Sequence, residues 1–108
     1  MIKIIINEQQ SGRISSFEMK GHADFAEHGK DLVCAGASAV SFGAVNAVIA
    51  LTGITPDIHQ GSDGGYLKVE FPVTEKDDEI QLIVKAMIVS LQTIEQDYGQ
   101  HIKLIFNR

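Results

Sequence analysis

The residue with the clearest chemical potential is Cys34, the single cysteine of the chain. Asp31 is a favourable N-cap residue, so a helix beginning at Leu32 places Cys34 at its third position. The unpaired N–H groups and the dipole of a helix start favour the anionic, nucleophilic form of a thiol. The carboxylate of Asp31 opposes this effect unless it is turned onto the backbone. The alternative is that Cys34 is a small buried apolar residue, as free cysteines usually are.

A histidine precedes this cysteine within the segment 21–30, which has no apolar periodicity. With Cys34, His22 forms the minimal pair for acyl transfer, because an imidazole can activate a thiol and then protonate a leaving amine. The segment is longer than most connections and has a glycine near each end, so we expect it to bind substrate and to close over it. His28 is an alternative base on spacing alone, and a solvated loop histidine is the alternative role for His22.

Ser38 lies one helical turn after Cys34 and therefore on the same helix face. Its hydroxyl group is placed to donate to the sulfur or to a substrate carbonyl. A serine that bonds to its own helix backbone is the alternative. For the oxyanion of an acyl-transfer intermediate, we expect the donors to be the first-turn N–H groups near Cys34.

Potential zinc ligands also cluster in this part of the chain, namely His22, Asp24, His28 and Cys34. Their spacing matches neither a Cys-x-x-Cys pair nor two histidines one turn apart on a helix. We therefore predict no metal site and no cofactor.

Five segments are predicted as strands, four from their β-branched or alternating apolar residues and 57–60 from its position before a hairpin turn. They are residues 2–6, 13–20, 57–60, 66–71 and 101–107. A polar turn at 7–12 joins the first two. The sequence Ser62-Asp63-Gly64-Gly65 joins the next two and is typical of a β-hairpin.

Two helices are predicted between these strands. No charged residue occurs from Leu32 to Pro56, and the content of Ala, Ser and Gly favours a central soluble helix, buried on all sides, over a membrane span. Gly53 is its predicted C-cap. The second helix, about 75–98, has an acidic first turn, an apolar residue at every third or fourth position, and Gly99 at its end. The order β-β-α-β-β-α-β predicts an α+β domain in which a mostly antiparallel sheet packs on two helices.

Composition sets limits on function. The chain of 108 residues is long enough for one domain, 1–108. Nine basic and fourteen acidic residues give a net charge of −5, which argues against binding to duplex nucleic acid. A single cysteine excludes an internal disulfide and suits a reducing cytosol, and the N-terminal apolar run is too short for a signal peptide.

Two motifs resemble the ribosomal-processing cysteine protease family, known as Prp. They are Gly21-His22-Ala23 and the run Gly29-Lys30-Asp31-Leu32-Val33-Cys34-Ala35-Gly36-Ala37-Ser38. The likeness extends to the length, to the order of the elements and to the uncharged helix after the cysteine. The departures are conservative: Leu32 stands where Ile is frequent, and Gly36 where Ala is.

The resemblance implies a small cytoplasmic bacterial protease that is a homodimer and has a Cys/His dyad. Cys34 is then the nucleophile and His22 the base and acid, with supporting roles for Asp31 and Ser38. The implied substrate is the precursor of large-subunit ribosomal protein number twenty-seven, from which a short N-terminal extension is removed. The expected substrate loop includes Gly21, Ala23, Phe25 and Gly29.

Two other functions remain open on the sequence. One is a non-catalytic ribosome-assembly factor that binds a ribosomal protein without cutting it. The other is a redox sensor that uses the same reactive thiol. A basic ribosomal-protein tail complements the net negative charge in either case, so charge does not distinguish a protease from a binding factor.

Overall fold

The computed structural model describes residues 1–27, 30–62 and 64–108. Within these residues the chain forms five strands and two helices, in the predicted order. They are β1 (Ile2–Glu8), β2 (Ile14–Lys20), α1 (Leu32–Thr52), β3 (Asp57–Gln60), β4 (Tyr66–Glu70), α2 (Asp77–Tyr98) and β5 (Ile102–Asn107). The α+β prediction is confirmed.

The strands form one sheet in the order β3-β4-β2-β1-β5. Three neighbouring pairs are antiparallel, and β5 lies parallel to β1, so the sheet is mostly antiparallel as predicted. Both hairpins are local pairings, whereas β5 joins the sheet beside the first strand of the chain. β3 and β5 are therefore the edge strands.

One face of the sheet carries the core, because apolar residues alternate along each strand and meet across it. In the paired register Ile6 lies opposite Phe17, and Phe17 lies opposite Val69. All three side chains are fully buried. Both helices contribute to the same cluster, and Ser41 of α1 donates a hydrogen bond to Met19 Sδ of β2 at 3.7 Å.

Only one face of α1 is buried, so the prediction of a helix buried on all sides is wrong for the single chain. The buried residues are Val33, Ala37, Ser41, Val45 and Val48. In a two-layer fold the helix has the sheet and α2 beside it, and within the described residues its outer side is left exposed. That outer side is uncharged and carries Ala35, Ala39, Gly43, Asn46 and Ala50.

The ends of α1 are as predicted. Asp31 caps the start, and Gly53 ends the helix in the left-handed conformation with φ of 76°. By length and composition alone α1 could cross a membrane, a test that the core helix of a soluble protein also passes.

The second helix packs its apolar stripe on the sheet and on α1, as its spacing predicts. A polar residue, Gln81, is also buried there, and it pairs with the backbone of Ile14 in both directions at 2.7 and 2.8 Å. Ile14 lies at the irregular end of the β1–β2 ladder, so the amide of Gln81 satisfies backbone groups beside this irregularity. Gly99 caps the helix with φ of −62°, which is not a left-handed conformation.

Candidate active site

A cleft of about 690 Å³ lies between the segment after β2, the start of α1 and the β3–β4 turn. His22, Asp31, Cys34 and Ser38 all line it, so the structure brings the predicted catalytic and supporting residues to one cavity. Its wall also includes apolar side chains, among them Met19, Phe42 and Leu67. The cleft therefore combines an apolar lining with a thiol, an imidazole and a hydroxyl group.

The carboxylate of Asp31 is turned onto the backbone, which was the condition for it not to oppose an anionic thiol. Oδ1 accepts from the N–H groups of Val33 at 2.9 Å and Cys34 at 3.0 Å, as an N-cap does. Oδ2 accepts from the N–H groups of Phe25 at 2.9 Å and Ala26 at 3.3 Å. Asp31 thus ties the substrate-loop segment to the first turn of α1.

These four donors also determine the ionisation of Asp31, which is only 8% exposed. Burial alone raises the pKa of a carboxyl group, but the N–H groups of Cys34, Phe25, Ala26 and Val33 together outweigh burial. The pKa of Asp31 therefore lies below its ordinary value of 3.8.

Cys34 is partly buried, and its sulfur is open to the cleft. Sγ accepts a hydrogen bond from the backbone N–H of Ala23 at 3.3 Å. Ala23 is only 1% exposed, so this donor is held in the protein interior at the edge of the cleft. An N–H donor aimed at the sulfur can stabilise negative charge that develops at the reacting atoms.

Three of the first-turn N–H groups that the sequence predicts as oxyanion donors have other partners in this structure. Those of Val33 and Cys34 are bonded to the Asp31 carboxylate, and that of Ala35 donates to the Asp31 carbonyl at 3.0 Å. The N-cap that makes the helix start recognisable in the sequence also occupies its donors. The N–H group of Ala23, by contrast, donates a hydrogen bond to the sulfur of Cys34.

His22 is exposed and directly precedes Ala23 in the chain. Because the Ala23 N–H group belongs to the His22–Ala23 peptide, its bond to Sγ holds the backbone of His22 beside Cys34. The alternative base, His28, lies outside the described residues. The role of His22 as base and acid stays a prediction.

The remaining loop residues have different positions. Gly21 lines the cleft with φ of +91°, and a Cβ atom there would lie 2.4 Å from the Met1 carbonyl oxygen, so only glycine fits. Phe25 does not point into the cleft: its ring packs edge-on against Tyr98 and His101. Gly29 lies outside the described residues.

One residue beside the site, His101, was not predicted from the sequence. Its Nδ1 lies 3.0 Å from the Ala23 carbonyl oxygen. No local signal could have shown this, because the two residues are 78 positions apart and join through the β1–β5 pairing. Among the described residues, no group of three or more His, Cys, Asp or Glu side chains is placed to hold a metal.

Comparison with known proteins identifies relatives over nearly the whole chain. The family model described as cysteine protease Prp matches residues 1–103. The ribosomal processing cysteine protease Prp of Bacillus subtilis is 52% identical over 110 residues, covering 99% of this chain and 98% of its own. Its namesake in Staphylococcus aureus strain Mu50 is 48% identical over 104 residues, covering 96% and 97%.

Solved structures show the same architecture. The S. aureus Prp protease in complex with a covalently linked product peptide matches with a TM-score of 0.94 and 47% identity. The match covers 99% of this chain and 100% of that one. The same S. aureus protease with a substrate peptide matches with a TM-score of 0.87 and 46% identity, again covering 99% and 100%.

The family match and these relatives define the chain as a cysteine protease, and its cysteine lies at the start of α1 and lines the cleft. More narrowly, the chain belongs to the Prp family of cysteine proteases.

Proposed function

We propose that this protease removes the short N-terminal extension of a ribosomal protein, with Cys34 as nucleophile and His22 as base and acid. One observation supports the proposal above the others: Cys34 Sγ, bonded to the Ala23 N–H group, faces a cleft that His22 also lines. A thiol so placed shares one cleft with the residue that can protonate the leaving group of a bound peptide.

The reaction proceeds in two steps. Cys34 gives its thiol proton to His22, Sγ forms a bond to the scissile carbonyl carbon, the C–N bond breaks, and the amine leaves with that proton from His22. A water molecule that has given a proton to His22 then adds to the acyl carbon, and the S–C bond breaks to release the acid. Asp31 supports these steps by holding the loop to α1, and Ser38 offers a hydroxyl group on the same cleft wall.

The substrate proposal rests on the relatives. Those in B. subtilis and S. aureus are named for ribosomal processing, and the S. aureus structures contain a substrate peptide and a covalently linked product peptide. We propose the precursor of large-subunit ribosomal protein number twenty-seven as the substrate. The net charge of −5 suits a basic ribosomal protein. A cytoplasmic location follows from such a substrate.

The test is the intact mass of the extended ribosomal protein after incubation with the enzyme. Wild type is expected to produce one shortened species, and Cys34→Ala and Cys34→Ser none, because neither replacement supplies a thiolate. Ser90→Ala is the matched control, since Ser90 is an exposed residue of α2 that bonds to its own helix. Cleavage by Cys34→Ala at the wild-type rate contradicts the proposal, and binding without cleavage by wild type supports the assembly-factor function.

The role of His22 has its own test. His22→Ala is expected to lower the rate of cleavage by about 10²-fold or more, the usual contribution of a general acid and base. Retained activity in that variant would assign the base to His28, and loss in both His22→Ala and His28→Ala would require their folding to be compared by thermal unfolding.

A further inference from the structure

We propose that His101 is a positioning residue of this protease: its imidazole holds Ala23 so that the Ala23 N–H group stays aimed at the sulfur of Cys34. The inference rests on the proposed function, in which Cys34 and His22 react with the substrate. His101 lies between α2 and β5 and does not line the cleft, so it acts through Ala23 and does not touch the peptide.

The contact between His101 and Ala23 has a defined direction. Nδ1 of His101 lies 3.0 Å from the Ala23 carbonyl oxygen, which can only accept a hydrogen bond. Nδ1 therefore carries the hydrogen, in the neutral ring as well as in the imidazolium form.

The imidazole is itself held in place. The backbone N–H of His101 donates to the Tyr98 carbonyl at 2.8 Å, and its carbonyl accepts from the Ile2 N–H at 2.9 Å. The ring of Phe25 lies edge-on to the imidazole at 5.3 Å between centroids, and edge-on to the ring of Tyr98 at 5.4 Å. His101 is thus a rigid support at the junction of α2 and β5.

Ala23 is consequently bonded at both of its backbone groups. Its carbonyl oxygen accepts from His101, and its N–H donates to Sγ at 3.3 Å. The two bonds set the rotation of this residue, and they also hold the peptide that joins it to His22. Since the first-turn donors of α1 are occupied by Asp31, the aim of the Ala23 N–H group determines how well negative charge at the reacting atoms is stabilised.

Variants of His101 separate positioning from folding. An Asn amide nitrogen occupies roughly the place of Nδ1 and can donate to Ala23, whereas a Gln amide reaches the place of Nε2, and Leu has no donor. We expect His101→Leu and His101→Gln to lower kcat about tenfold or more with KM little changed, and His101→Asn to stay within about threefold of wild type. His59→Asn is the matched control, because His59 is exposed on the edge strand β3.

Three readouts are needed: kcat and KM on a peptide spanning the processed junction, the rate at which iodoacetamide alkylates Cys34, and the Tm. The alkylation rate should fall in the Leu and Gln variants and be rescued in the Asn variant. If kcat and the alkylation rate fall equally in all three variants, in parallel with Tm, the role of His101 is merely structural and the inference is overturned. A wild-type kcat in His101→Leu overturns it as well.

The alkylation readout also separates this inference from the proposed function. If wild type fails to cut the ribosomal peptide while alkylation still ranks wild type and Asn above Gln and Leu, the substrate assignment fails and the positioning role stands. If alkylation is the same in all variants, the positioning role fails whatever the substrate.

Discussion

A single carboxylate organises the site at the scale of residues. Asp31 accepts hydrogen bonds from four backbone N–H groups, two at the start of α1 and two in the loop that carries His22. The same side chain therefore caps the helix that presents the nucleophile and fixes the segment that presents the imidazole. Its role is that of a structural link between Cys34 and the loop, because its oxygens are occupied by backbone donors.

This arrangement predicts a loss of stability in acid. The folded-state pKa of Asp31 is lowered, so its stabilising effect is fully present above the unfolded value of about 4 and is lost as pH falls through the folded value. Asp31→Asn cannot accept from four donors with one amide oxygen, and we expect it to be less stable at neutral pH with a smaller drop in acid. Urea unfolding at pH 7 and pH 3 checks this.

An Asp31→Asn variant with the wild-type dependence on pH would contradict the assignment. Asp97→Asn is a suitable control, because this exposed residue lies in the last turn of α2 and takes no part in the four hydrogen bonds of Asp31.

At the scale of elements, the turn from β2 into the loop depends on Gly21. Its φ of +91° is unfavourable for other residues, and a Cβ atom would meet the Met1 carbonyl oxygen just before β1. Its N–H donates to the Gly65 carbonyl at 3.0 Å, which ties the loop to the β3–β4 turn. Gly21 therefore joins two of the three segments around the cleft.

Gly12 offers a matched comparison for this position, because it has the same φ of +91° but a Cβ atom there would have nothing within 4 Å. We expect Gly12→Ala to cost about 1 kcal/mol for its backbone conformation alone. Gly21→Ala should lower the free energy of unfolding by more, because the clash adds to the same backbone strain. It should also slow cleavage, because it displaces His22. Urea unfolding and peptide kinetics measure the two effects, and equal losses of stability in both variants would contradict the role of the clash.

The sequence was informative where the determining interactions are local. The Asp31 cap, the end of α1 at Gly53 and both hairpins depend on residues close in the chain, and all were predicted. The buried face of α1 was not, because Ala, Gly and Ser surround the helix and give little contrast between its sides. The parallel pairing of β5 and the contact of His101 with Ala23 join distant parts of the chain, and no local pattern encodes them.

At the scale of the whole molecule, the outer side of α1 is an uncharged surface in the single chain. We propose that it forms the homodimer interface, because Ala39 and Gly43 allow a second helix to approach closely and no charge must be desolvated there. Leu51, at the end of the same helix, is 76% exposed and extends the apolar area. If two copies associate through this side, the partner subunit would lie next to the cleft wall that Cys34 and Ser38 form.

The dimer proposal predicts that a charge on this surface separates the subunits. Ala39→Glu should sediment as a monomer at micromolar concentrations at which wild type is a dimer, because the carboxylate would be buried without a partner. Ala86→Glu, on the exposed side of α2, should leave the mass unchanged. A wild type that sediments as a monomer, or an Ala39→Glu variant that remains dimeric, contradicts the proposal.

The parallel pairing of β5 with β1 has a consequence for synthesis. β1 can pair with β5 only after residues 102–107 have been translated, since Ile2 lies opposite Ile102. A nascent chain that ends before residue 101 has the thiol, the loop and α1, but lacks the imidazole that supports Ala23. If His101 has the proposed positioning role, a product truncated before that residue would keep the nucleophile but react slowly with substrate.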